Sequence, residues 1–254
     1  MGNELFATSE NSSQICVFET DTNEFKLSRT LTLGEIREQL HNPVDIASCQ
    51  ESERLYIVDW DKNKPANKIR RTDRNGVLSN YWTTGKLRGT LFVTNDDRII
   101  ISFYRKNYFK IYTYKGDCIK TVFTNSANIR ILHSIQLKCG QFVVSVQDEK
   151  DGRILFLNDK STVLQKFSGE DGKRSRYVYF APRGDDNIIV LDYNKKLIFS
   201  LNTTCTVNLQ LLSGDSGIKS PSRVCFDSSR NLLLIVDNKA DYGGGISIFK
   251  VDPT

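Results

Sequence analysis

Five short apolar runs recur along the chain at a single phase: Leu55-Tyr56-Ile57-Val58, Arg98-Ile99-Ile100-Ile101-Ser102, Gln141-Phe142-Val143-Val144-Ser145-Val146, Ile188-Ile189-Val190-Leu191 and Leu232-Leu233-Leu234-Ile235-Val236. The residues that follow them, Asp59, Phe103, Gln147, Asp192 and Asp237, are separated by 44, 44, 45 and 45 positions. A strand-built repeat with a period in the forties is the mark of a propeller blade, because one such unit cannot bury its apolar faces alone. The runs are apolar without alternation, as a strand covered on both faces must be.

Each unit repeats the same order of pieces. In the unit from 42 to 83, strand a is Val44-Asp45-Ile46-Ala47, strand b runs from Leu55 to Asp59, strand c is Lys68-Ile69-Arg70-Arg71 and strand d runs from Leu78 to Trp82. Asn75-Gly76 supplies a tight c–d hairpin. The first residues give b, c and d strands at Leu5-Phe6-Ala7, Gln14 to Glu19 and Phe25 to Leu31, and the last unit stops after strand c. The predicted fold is therefore all-β, a six-bladed propeller of about 44 residues per blade with incomplete first and last blades. It forms one domain over residues 1–254, since no linker interrupts the period. Either two three-stranded blades close the ring side by side, or the natural chain is longer; the sequence leaves both open. The only helical candidate is a turn or two between Leu33 and Leu40.

Composition narrows the setting. Hydrophobic residues make up 39% and charged residues 26%, with a net charge of +5. The apolar content suits a folded core, and the charge is well short of a dedicated nucleic-acid tail. No apolar stretch reaches the length of a membrane span, and the opening Met1-Gly2-Asn3-Glu4-Leu5-Phe6 has no signal-peptide pattern. Cys16, Cys49, Cys118, Cys139, Cys205 and Cys225 show no metal-ligand or redox spacing. Six separate thiols and a cytoplasmic location are expected.

The repeat resembles the NHL family of six-bladed propellers, including the propeller that ends the tripartite-motif ubiquitin ligases. The resemblance rests on Asn42-Pro43-Val44-Asp45-Ile46-Ala47, Leu55-Tyr56-Ile57-Val58-Asp59, Asn67-Lys68-Ile69-Arg70-Arg71 and Asn75-Gly76, repeated in Ser220-Pro221 and Leu234-Ile235-Val236-Asp237-Asn238. Two units diverge, with Phe103 and Gln147 at the Asp position. The resemblance implies a scaffold or substrate-recruiting module, ubiquitin-ligase-associated in some relatives, and in others RNA binding on one face. The recurrent Asp is read as structural, accepting backbone N–H groups from the b–c turn that follows it.

Catalytic readings lack residues. Lyase propellers similar in repeat pattern hold zinc with several histidines, whereas only His41 and His133 occur here. For a calcium site the inner strands offer Asp45, with Ser134, Gln136, Tyr177, Tyr179 and Arg223 as neutral or basic companions, too little negative charge for a hard cation. The chain is read as non-enzymatic, with no cofactor and no metal; a metal-dependent hydrolase or lyase is the weakest alternative.

Sorting charges by loop gives the candidate site. The b–c and d–a loops, which propeller topology places on one face, carry an excess of bases, while the a–b and c–d loops carry an acidic excess. Aromatics sit among those bases, and the candidate ligand-binding face comprises Trp60, Lys62, Lys64, Lys68, Arg70, Lys86, Arg88, Tyr104, Arg105, Lys106, Tyr108, Lys110, Tyr193, Lys195 and Lys196. Such a field steers an acidic partner, and base plus aromatic is the composition of single-stranded RNA surfaces. The expected partner is a protein or peptide of acidic character, with single-stranded or stem-loop RNA as the alternative. No membrane contact is expected, and the isolated domain is expected to be a monomer.

Overall fold

A computed structural model describes residues 4–8, 14–19, 26–32, 40–49, 51–60, 63, 67–85, 88–124, 128–148, 151–169, 176–184, 187–213, 216–238 and 245–251. These residues form six antiparallel sheets whose strands are neighbours in chain order. The chain divides into two compact units, Met1–Tyr104 with Phe109–Val122, and Arg105–Tyr108 with Phe123–Thr254.

The first unit begins with a three-stranded sheet, β1 (Glu4–Thr8), β2 (Gln14–Glu19) and β3 (Lys26–Thr32). Two four-stranded sheets follow: β4 (Pro43–Cys49), β5 (Arg54–Asp59), β6 (Lys68–Asp73) and β7 (Leu78–Thr83), then β8 (Gly89–Val93), β9 (Ile99–Phe103), β10 (Tyr108–Tyr112) and β11 (Cys118–Phe123). The second unit holds β12 (Arg130–Gln136), β13 (Phe142–Gln147), β14 (Gly152–Leu157) and β15 (Val163–Phe167). It continues with β16 (Tyr177–Arg183), β17 (Asn187–Asp192), β18 (Leu197–Asn202) and β19 (Val207–Leu212). A three-stranded sheet ends it, β20 (Pro221–Asp227), β21 (Leu232–Asp237) and β22 (Gly245–Lys250). The incomplete first and last blades are thus present as three-stranded sheets. Among the described residues there is no α-helix, and the helical candidate at 33–40 falls, but for Leu40, outside them.

Burial depends on a strand's place in its sheet. Every residue of β9 is buried, as are all but one residue each of β5, β13 and β17, so the b strands form the core, as their unbroken apolarity requires. Where a d strand is present it forms an edge of its sheet; the first four residues of β15 and of β19 are exposed. Strand a departs from regular pairing once, at a bulge near its start, in β4, β12, β16 and β20. All six cysteines are free thiols.

The c–d hairpins repeat one device. Asp73, Thr113, Asn158 and Asn202 end strand c, and the side-chain oxygen of each accepts backbone N–H bonds from the turn, as from Asn75 and Val77 to Asp73 Oδ1 at 2.9 and 2.8 Å. Three residues later the backbone turns left-handed, at Gly76, Gly116, Ser161 and Cys205. The Asn75-Gly76 hairpin is therefore one of four made alike.

Gly116 carries a second constraint. A Cβ at this position would lie 2.5 Å from Cγ of Trp82, whereas one at Gly140, also left-handed, would meet nothing within 4 Å. Gly140→Ala should therefore cost only the backbone strain, about 1–2 kcal/mol. Gly116→Ala should cost roughly 2–4 kcal/mol because Trp82 must also move. Urea denaturation should place the midpoint of the Gly116 variant clearly below that of the Gly140 variant; equal midpoints would show that the Trp82 contact is not tight.

Candidate functional site

Loops at the b–c end of each blade are set by what holds the end of strand b. The recurrent aspartates do so, and their partners include the chain entering strand a. Asp59 Oδ1 accepts the backbone N–H groups of His41 and Asn42 at 2.9 and 3.0 Å, and Asp237 accepts those of Lys219 and Ser220 at 2.9 and 2.7 Å. Asp192 accepts that of Arg176 at 3.1 Å. The carboxylates therefore tie down the chain entering strand a, about seventeen residues upstream; Asp192 also takes N–H groups of the following turn, from Asn194 and Lys195, and the turns after Asp59 and Asp237 lie largely outside the described residues. The reason is register: the first residue of strand a pairs with the last residue of strand b, so the incoming N–H groups lie beside the carboxylate.

Arg70 is corrected by the same geometry. Its Nε and Nη2 each reach Asp59 Oδ2 at 2.9 Å, and its side chain is 1% exposed, so it belongs to the core and not to a ligand face. Alternation along β6 turned it inward. Lys62, Lys64 and Lys86 lie outside the described residues.

In the first unit, Trp60, Arg88 and Tyr104 come together. The guanidinium of Arg88 lies 5.8 Å from the Trp60 ring centre, and the Tyr104 backbone N–H donates to the Arg88 carbonyl at 2.7 Å, with the Tyr104 ring exposed. Lys68 places its ammonium 4.4 Å from the Tyr81 ring centre, and Lys110 is half-buried on β10. In the second unit, Arg105 and Lys106 are exposed, Arg105 in the left-handed conformation. Tyr108 beside them packs on Phe123 at 5.5 Å. Tyr193 is exposed, with the Arg176 guanidinium 5.6 Å from its ring centre, and it is followed by half-buried Lys195 and exposed Lys196. Arg176 was not among the expected residues; its place just before strand a, opposite the b–c turn, is the signal that marks it.

Sequence reasoning also missed a stack on the inner strands of the second unit. The rings of His133 on β12 and Tyr179 on β16 lie 4.5 Å apart, and the Arg223 guanidinium on β20 lies 3.9 Å from the Tyr179 ring centre. His133 is 3% exposed; burial, aided by the nearby Arg223 charge, pushes its pKa down to about 3. The backbone N–H of His41, by contrast, is engaged by Asp59. Among the described residues no group of three or more His, Cys, Asp or Glu side chains is placed to hold a metal ion.

No family model matches the chain, and no curated protein matches it. Solved structures do. The β-propeller domain of Cps50 (Swd1) from Myceliophteria thermophila is 12% identical, with a TM-score of 0.64 over 99% of this chain and 94% of that one. The fold is a six-bladed β-propeller. Hydrazine synthase from Kuenenia stuttgartiensis is 8% identical, with a TM-score of 0.68 over 98% of this chain and 93% of that one. Virginiamycin B lyase from Staphylococcus aureus is 13% identical, with a TM-score of 0.57 over 83% and 70% of the two chains. At these identities the likeness is one of fold.

Two outcomes follow. Arg70→Ala leaves the buried Asp59 charge unpaired and should destabilise the protein by about 3–5 kcal/mol, read by urea denaturation; a loss below about 1 kcal/mol would place the pair in solvent. His133 stays neutral in the folded state, whereas in the unfolded chain it takes up a proton near pH 6.5. The stability held above pH 6.5 is therefore lost as pH falls towards 3, by at most about 1.4 kcal/mol per pH unit. Between pH 6.5 and 4 the wild type should lose more stability than His133→Phe; parallel losses would refute the assignment.

Proposed function

We propose that this propeller is a non-enzymatic recognition module of the NHL-repeat type, a scaffold or substrate-recruiting domain that binds a protein or peptide of acidic character. The observation that carries the reading is the pairing of bases with aromatic rings at the b–c ends of the blades. In the first unit Arg88 accompanies Trp60 beside exposed Tyr104. In the second, exposed Arg105 and Lys106 precede Tyr108, and Arg176 accompanies exposed Tyr193. An aromatic ring offers contact area at low entropic cost, and a cation held over it stays ordered for a carboxylate. The repeat of Pro43 and Pro221 with Asp59 and Asp237, together with six free thiols, supports an NHL-type module working in the cytoplasm.

A second reading, single-stranded RNA on the same loops, is favoured by the exposed rings of Tyr104 and Tyr193, 45% and 37% exposed, which could stack on bases. Salt separates the two. The double variant Arg105→Ala/Lys106→Ala should weaken an acidic peptide several-fold. For an RNA it should also lower the slope of log K against log salt by up to about two, one for each lost phosphate contact. Exposed Glu51, in an a–b turn, serves as the control, because Asp96 and Asp97 are held by Arg98 and by the Tyr56 hydroxyl. Fluorescence anisotropy at several salt concentrations reads both. Equal loss from Glu51→Gln and from the double variant would show that these bases do not mark the site.

A further inference from the structure

The first sheet of the second unit has a cavity of about 230 Å³ on one side. Arg153, Leu155 and Leu157 alternate along β14 and so share a face. Opposite them stand Val146 on β13, facing Arg153, and Lys166 and Val163 on β15, facing Leu155 and Leu157. Val163 and Lys166 are three residues apart in sequence. The bulge at Phe156 and Leu157 leaves one extra residue in β15, which brings both to the cavity side. Thr124, after β11, and Ile129, just before β12, complete the lining.

Two chemistries meet there. The floor is apolar: Val146, Leu155 and Leu157 are buried and Ile129 is half-buried. An apolar void of roughly 150 Å³ stays dry and takes up benzene, so this one admits a leucine side chain. The rim is basic. Arg153 is held by Asp148 at 2.5 Å, whereas Lys166 is exposed, with no acid paired to it among the described residues. The loop bases Arg105 and Lys106 stand next to the same place. The Ile131 N–H, two residues past Ile129, donates to the Lys106 carbonyl at 2.7 Å, and the Thr124 N–H donates to that of Asn107 at 2.8 Å. An apolar seat bordered by bases on two sides fits an apolar residue carried between acidic ones.

We propose that this cavity seats a leucine-sized apolar side chain of a bound peptide, with Lys166 meeting an acidic residue beside it. The inference rests on the acidic-peptide reading above and deepens it, by naming the residue type that stands between the acids. Charge alone attracts any acidic segment. The cavity discriminates among them, because only an apolar residue covers its floor without leaving a polar group unpaired.

The test titrates two capped peptides, Glu-Glu-Leu-Glu-Glu and Glu-Glu-Ala-Glu-Glu, into the wild type, Val163→Trp, Lys166→Glu and Arg105→Ala/Lys106→Ala by calorimetry. It also follows the methyl groups of Val146, Leu155 and Leu157 by NMR in the wild type. The Leu peptide should bind at least fivefold tighter than the Ala peptide. Val163→Trp, made at an exposed position, fills the cavity and should abolish that preference. Lys166→Glu should weaken both peptides at least threefold. The floor methyls should shift with the Leu peptide and not with the Ala peptide, a readout that stands even if the Trp variant fails to fold. Equal affinity for the two peptides, falling in the loop variant and without methyl shifts, would overturn the cavity and leave the loop reading standing. A preference for Leu with methyl shifts, and an affinity untouched by the loop variant, would uphold the cavity and end the loop reading. Binding of neither peptide would overturn both.

Discussion

A strand buried on both faces has to finish somewhere, and at its end the polar backbone of the chain entering its neighbour must be satisfied without water. In three of the blades an aspartate at the end of strand b does this. Asp59, Asp192 and Asp237 accept the N–H groups of the residues that lead into strand a. One side chain thereby joins the first two strands of a blade at the end where the b–c loops emerge. In the Asp59 blade, the buried Arg70 neutralises the carboxylate and extends the joint to strand c. The loop residues Trp60, Tyr193 and Asn238 follow these aspartates directly, and their own N–H groups donate to the carbonyls of Asn42, Arg176 and Ser220. The joint and the loop are one hydrogen-bonded unit, so the joint sets where the loop bases and rings stand.

Much of this was legible in the sequence, for a physical reason. Apolar runs without alternation at a period near 44 can only be doubly covered strands, and the structure places β5, β9, β13, β17 and β21 on them. Turn chemistry was legible at Asn75-Gly76 because glycine tolerates the left-handed backbone there; it was hidden at Ser161 and Cys205, which adopt the same conformation without announcing it. The turn contact expected of the aspartates is present at Asp192, whereas their hold on the chain entering strand a was hidden because those partners are distant in sequence and adjacent only through the a–b register. Arg70 was placed on a surface because charge alone does not say which side of a strand a residue faces.

The inner stack was hidden for a different reason. Tyr179 and Arg223 were visible as inner-strand residues, yet the bulge in strand a shifts the phase by one residue and brings them into line with His133. A bulge has no sequence signature here, so a regular alternation misplaces everything before it. The second unit thus carries two separate kinds of polar chemistry: exposed bases on its loops, which suit attraction at a distance, and guanidinium groups set against aromatic rings on its inner strands, Arg223 on Tyr179 and Arg183 on Phe226.

The joint at the end of strand b is the claim on which the rest stands, and hydrogen exchange followed by NMR tests it most directly. The amide protons of Asn42, Arg176 and Ser220 lie in connecting segments, where exchange is ordinarily fast. Held by buried carboxylates, they should exchange as slowly as amides of the b strands, and each should lose its protection when Asp59, Asp192 or Asp237 is replaced by Ala. Exchange of these three amides at the rate of an open loop in the wild-type protein would contradict the account.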